Sequence, residues 1–209
     1  MIKINNLELL TRLLFYIIDE EQVYELLKTA GFDCNTNFAD MITVVERHSD
    51  TVGNDLSDFF ALFRYIARMY NEALYLKDNN NRLDTTQKMY DYFEISFLGV
   101  DNEEVHAVGL DDELHITCKE VLSIGTPSKV AFALRCFTTF VIKNNLSRII
   151  IAHNHSNGSC LPSDEDFRYT KKLIDFLNMI DTELVDHIVI GKGGAYSMRS
   201  SYRGCEIWG

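Results

Sequence analysis

The 209 residues carry a net charge of −11 and 46% hydrophobic side chains, enough apolar material for one domain with a full core and a smaller second one. Residues 1–95 hold 9 Lys and Arg against 16 Asp and Glu, and the remainder 11 against 15, so neither half has the basic excess on which non-specific phosphate binding depends. Five scattered cysteines without CxxC spacing, no N-terminal signal pattern and no apolar run near the roughly 18 residues of a membrane span point to a reduced, soluble, cytoplasmic protein and away from a disulfide scaffold.

Residues 4–76 read as all-helical, with apolar residues at spacings of three and four, as in Leu7, Leu10, Leu13, Leu14, Ile17 and Ile18. Breaks are expected near Asp19, over 31–37 and around Gly53-Asn54-Asp55. Phe59 to Tyr75 then forms a long amphipathic helix. The polar run Asp78-Asn79-Asn80-Asn81-Arg82 marks a linker. The expected organisation is a helical domain over 1–78, a linker over 79–84 and a larger domain over 85–209.

That larger domain opens with a helix from about Thr85, with Asp84 as its N-cap, to about Phe97. Strand patterns follow over 105–110 and 115–124, with Asp111-Asp112-Glu113 turning between them. A helix opened by proline spans 127–141, a buried strand 147–153 and a second helix 163–179. Two strands near 184–190 and 195–199 close the domain across the turn Gly191-Lys192-Gly193-Gly194. The fold class is α/β, a mixed sheet with flanking helices preceded by a small all-helical module.

Chemistry concentrates where Ile149-Ile150-Ile151-Ala152 runs into His153-Asn154-His155. In an extended chain alternate side chains share a face, so His153 and His155 can approach one ion while Asn154 points away. Asp166 offers a third, harder ligand. Two histidines and one carboxylate match the three protein ligands of an open, hydrolytic zinc site, whereas a structural zinc favours four ligands rich in cysteine. Ser163 has two readings: it caps the helix that follows, with Asp166 reaching back, or its hydroxyl serves a developing oxyanion. Glu120 is the candidate base for a metal-activated water, since an unpaired carboxylate in an apolar strand is costly to bury; the alternative is a surface glutamate on an exposed strand face.

The spacing His153-Asn154-His155, seven residues, Ser163, two residues, Asp166 resembles the signature of the JAMM (MPN-plus, JAB) metalloproteases, and the variant resembles the RadC branch. Glu120-Val121-Leu122 with Gly125-Thr126, Ile151-Ala152 before the histidines, Gly158, Pro162 and Thr170, Asp186 to Gly191, and Tyr196-Ser197-Met198 follow the same pattern in order. The resemblance implies a JAB/MPN-type domain with a cytidine-deaminase-like mixed sheet. It also implies one Zn2+ per chain on His153, His155 and Asp166, Glu120 as general acid and base, and Ser163 beside the oxyanion.

The reaction implied is hydrolysis of peptide or isopeptide bonds in a protein or peptide substrate. Two departures fall in the loop: Ser156-Asn157 stands where relatives carry Pro-Ser, and Cys160 is unusual there. The helical module resembles a degenerate helix-hairpin-helix. Gly53-Asn54-Asp55-Leu56 lacks the second glycine of its phosphate-holding turn, and Ile66-Ala67-Arg68-Met69 echoes the helix beyond. This module is read as one for protein contacts or homodimerisation. The rival readings are a DNA repair or recombination protein that binds DNA, a nuclease using the same metal, and a scaffold with purely structural zinc. Acidic charge disfavours nucleic acid as a partner, and no membrane association is expected.

Overall fold

The computed structural model describes residues 5–32, 36, 38–47, 54–100, 102–124 and 130–208. The chain forms two compact units, Met1–Ala67 and Arg68–Gly209.

In the first unit, helices α1 (Asn6–Leu14), α2 (Glu20–Ala30) and α3 (Phe38–Arg47) and the start of α4 (Asn54–Asp78) follow the three-and-four spacing of their apolar residues. Leu10, Leu14, Val23, Leu26, Met41, Val45 and Phe60 form the core. The expected break at Asp19 is a helix start, where its backbone N–H donates to the Gln22 side chain at 3.2 Å. Gly31, at φ 64°, ends α2 in the left-handed conformation that glycine adopts without strain. Gly53 lies outside the described residues; Ile66 to Met69 lie within α4.

The boundary between the units falls inside α4, not at 79–84. That polar run is tied to the second unit. The Asn81 amide donates to the Ile116 carbonyl at 2.7 Å, Arg82 Nε to the Glu113 carbonyl at 2.7 Å, and Leu83 is fully buried. Asn80 and Asn81 adopt positive φ, which asparagine tolerates better than most residues. The polar composition thus reflects turn geometry and amide hydrogen bonding.

The second unit is a five-stranded mixed sheet in the order β2-β1-β3-β4-β5. Helix α5 (Thr86–Ser96) precedes β1 (Glu104–Leu110) and β2 (Ile116–Ile124), an antiparallel pair. Its N-cap is Thr85, whose hydroxyl accepts from the Lys88 N–H; Asp84, expected in that position, instead pairs with Lys88 Nζ at 2.7 Å. Helix α6 (Val130–Asn144) leads to β3 (Arg148–Asn154), and α7 (Asp164–Asn178) crosses over to β4 (Glu183–Gly191), parallel to β3. The expected start of α6 at Pro127 lies outside the described residues. β5 (Gly194–Ser197) returns antiparallel to β4, and a short α8 (Gly204–Trp208), unforeseen in the sequence, ends the described chain. Among the described residues no helix is long and apolar enough to cross a membrane.

Candidate metal centre

β3 is covered on both faces, as its unbroken apolar run requires. Ile149 and Ile151 pack with Phe137, Phe140 and Leu173 of α6 and α7, whereas Ile150 and Ala152 pack with Tyr92 and Phe93 of α5. His153 continues the first series and Asn154 the second. Asn154 is therefore structural: its Oδ1 accepts from the Glu104 N–H at 2.8 Å and its amide donates to the Asn102 carbonyl at 2.9 Å. This pins the start of β1 beside His153.

Beyond the strand the chain turns sharply. Gly158, at φ 77°, donates its N–H to the His155 carbonyl at 2.9 Å, and its carbonyl accepts from Lys192 N–H at 2.8 Å. Asn157 Oδ1 accepts from Ser159 N–H at 2.8 Å, so the asparagine side chain closes the turn. The loop packs so closely on the end of β4 that a Cβ on Gly191 would lie 2.5 Å from the Cys160 nitrogen. The Ser159 carbonyl is thereby delivered to His155 Nδ1 at 3.0 Å.

Ser163 is the N-cap of α7, the first of its two sequence readings. Its Oγ accepts from the Asp166 N–H at 3.2 Å, while Asp166 Oδ2 receives the Ser163 N–H at 2.6 Å and hydroxyl at 2.7 Å. The cap orients the Asp166 carboxylate. Burial pushes the Asp166 carboxyl up, but His153, the two Ser163 donors and His155 together outweigh it and hold it below the ordinary range.

Proton positions around the histidines follow from partners that can act in one sense only. The Thr170 hydroxyl donates to the Asp166 carbonyl at 2.6 Å, so its 2.7 Å contact with His187 Nδ1 is donation by His187. His187 Nε2 is then an acceptor, and His153 Nδ1 donates to it at 2.8 Å. His155 Nδ1 must donate to the Ser159 carbonyl. In the neutral rings both Nε2 atoms are bare, yet they lie 2.9 Å apart. Asp166 Oδ1 stands 3.5 Å from His153 Nε2, and Oδ2 stands 3.4 Å from His155 Nε2.

Acceptors converge here with no donor among them, which suits a cation. Zn–N bonds of about 2.0–2.1 Å in a tetrahedral site place ligand nitrogens about 3.3 Å apart, within the spread observed. His153, His155 and Asp166 form the one such group among the described residues. Burial, reinforced by His155, lowers the His153 pKa to about 4, and burial drives His187 down as well, so both rings are neutral at pH 7 as metal ligation and relay require.

The triad opens into a cavity of about 350 Å³ whose walls include Val105, Leu122, Phe137 and Tyr169, with Ser163 at its rim. Glu120 is not brought there. It pairs across the ladder with Ala107, which pairs with Ile151, so strand spacings put its backbone roughly 12 Å from that of His153. Its side chain is about half exposed on edge strand β2, 3.9 Å from Lys143 Nζ. The glutamate reading that holds is the surface one.

Glu103 is among the carboxylates that line the cavity, and Glu120 is not. Val105 pairs with His153, and both Val105 and Glu103, the residue before β1, line the cavity. Helix α7 adds Glu165, Arg168 and Lys172 to the same cavity. The sequence signal for Glu103 was its two-residue spacing from Val105, the head of the strand expected over 105–110.

Residues 83–204 match the RadC-like JAB domain. The chain is 33% identical over 117 residues to a UPF0758 protein of Legionella pneumophila (strain Corby), covering 56% of this chain and 52% of that protein. It is 30% identical over 118 residues to a UPF0758 protein of Thermotoga maritima, covering 56% and 53%. A UPF0758 protein of Actinobacillus pleuropneumoniae serotype 5b is 33% identical over 105 residues, covering 50% and 48%. The chain thus spans about half the length of the curated relatives it matches. With a buried histidine at the end of β3, a second in the loop beyond and an aspartate in the first turn of α7, and with this match over its second unit, the chain belongs to the RadC-like JAB domain family.

Proposed function

We propose that the protein is a zinc-dependent hydrolase that adds water to the carbonyl of a peptide or isopeptide bond. The observation that carries this reading is the convergence of His153, His155 and Asp166 acceptors, without a donor, at a cavity also lined by the Glu103 carboxylate. A divalent cation on these three ligands supplies Lewis acidity, polarising a carbonyl and lowering the pKa of water from about 15.7 to about 7. Glu103 accepts the proton of the attacking water and returns it to the leaving amine, which requires hydrogen-bond reach of both. The Ser163 hydroxyl serves the developing oxyanion by turning its one proton away from Asp166 Oδ2, which the Ser163 N–H continues to hold.

The walls suit a protein or peptide substrate. Val105, Leu122, Phe137 and Tyr169 accept an apolar side chain, while Arg168 and Lys172 stand at the polar side. Glu103, Glu165 and Asp166 outnumber these two cations, which disfavours a nucleic-acid backbone in the same cleft.

The test is cleavage of a peptide library by zinc-loaded protein. Cleavage is expected to stop on chelation and to return with zinc. Glu103→Gln is expected to keep the metal and lose about 10²–10⁴-fold in rate, whereas Glu120→Gln stays near wild type. Unimpaired cleavage by Glu103→Gln would remove Glu103 from its role. A library left intact, with salt-dependent binding of branched or single-stranded DNA, would favour the DNA-associated reading instead.

A further inference from the structure

A hydrogen-bonded line runs from one candidate ligand to another through the protein interior. It starts at the Asp166 backbone carbonyl, passes through Thr170 Oγ1 at 2.6 Å and His187 at 2.7 Å, and reaches His153 Nδ1 at 2.8 Å. Thr170, His187 and His153 are all buried. The line has one direction. Threonine has a single hydroxyl proton, and the carbonyl takes it in preference to the Met198 sulfur, a weak acceptor 3.7 Å away. Every later proton is then assigned: on His187 Nδ1, and on His153 Nδ1.

We propose that His187 is a positioning residue, a neutral acceptor oriented by Thr170 that holds His153 in the tautomer whose Nε2 is bare and aimed at the metal position. A ligating histidine usually donates its second N–H to a carboxylate, a backbone carbonyl or water. Here a second imidazole takes that part. It adds no negative charge, so more of the ion's charge is left to act on substrate. The same threonine anchors the backbone of Asp166, so two ligands from different elements share one support.

This rests on the metal reading of the site, and its tests separate the two. His187→Gln retains an acceptor for His153 and a donor for Thr170, while His187→Leu fills similar space with neither. Zinc affinity by chelator competition, with the visible spectrum of the Co2+ form, is the readout. The Leu variant is expected to weaken binding 10–100-fold and to alter the spectrum, and the Gln variant to recover most of the affinity. Wild-type affinity in the Leu variant, or equal losses in both, would overturn the proposal. Should neither variant fold, nitrogen-15 NMR of the metal-free wild type decides: Nδ1–H on both His187 and His153 supports the relay, and Nε2–H on His187 refutes it. If the wild type takes up no metal but shows these tautomers, the hydrolase reading fails while the relay stands.

Discussion

The two units bury different kinds of side chain. Among the described residues the core of the first is wholly apolar, built from Leu10, Leu14, Val23, Leu26, Phe60 and their neighbours. The second buries His106, His153, Asn154, Thr170, Asp186, His187 and Ser197 as well. Burying a polar group costs free energy unless its hydrogen bonds are made, and here they are made in connected sets. Asp186, pushed up by burial, accepts from Ser197 Oγ at 2.5 Å and from the His187 and Arg199 N–H groups. The first unit therefore reads as a packing solution, and the second as a core arranged around a site.

The largest expected effect that separates the units is on packing. Phe60→Ala should destabilise the first unit by about 3–5 kcal/mol, as large-to-small core changes do, without altering zinc affinity. Equilibrium urea unfolding alongside a zinc titration checks this. A parallel fall in affinity would break the division between the units.

Next in size is the pH response of the metal-free protein. His153 titrates near 6.5 when unfolded and at about 4 when folded. Between those values the unfolded chain binds a proton that the folded chain refuses, so stability falls as pH drops through the window, by on the order of 3 kcal/mol. His187 acts in the same direction. The depressed Asp166 carboxyl works at lower pH, its contribution being lost only as pH falls through its folded value. Unfolding curves at pH 7, 6, 5 and 4 test this, and a flat profile would mean the histidines are not held neutral. The smallest effect is Ser163→Ala, which removes the cap and one partner of Asp166. A loss of about 1 kcal/mol in thermal melts is expected, and no loss would deny the cap its role.

The candidate ligands were legible because strand alternation and the first turn of a helix are local properties. His153 and His155 are two apart at a strand end, and Ser163 with Asp166 is a capping pattern whose geometry also aims a carboxylate. The carboxylate partner was not legible, since its choice depends on strand order and register. An apolar strand bearing Glu120 looked like an interior place for a charge, but β2 is an edge strand. Glu103 sits just before β1, near a register shift between Val105 and His106, where sequence cannot say which of two adjacent glutamates faces the site. His187 was visible as part of an apolar strand and of the run Asp186 to Gly191, with no role attached; its meeting with His153 depends on the parallel pairing of β3 and β4. The order of the polar run over 78–82 was illegible for a similar reason, because a polar asparagine run serves an ordered turn as well as a free one.

The central claim, that His153, His155 and Asp166 hold a divalent cation, is tested most directly by zinc titration of chelator-stripped wild type against His155→Ala, with bound metal measured by elemental analysis. The account predicts about one zinc per wild-type chain, by the three-ligand count of open zinc sites, and little in the variant. Equal zinc in the two proteins would contradict it.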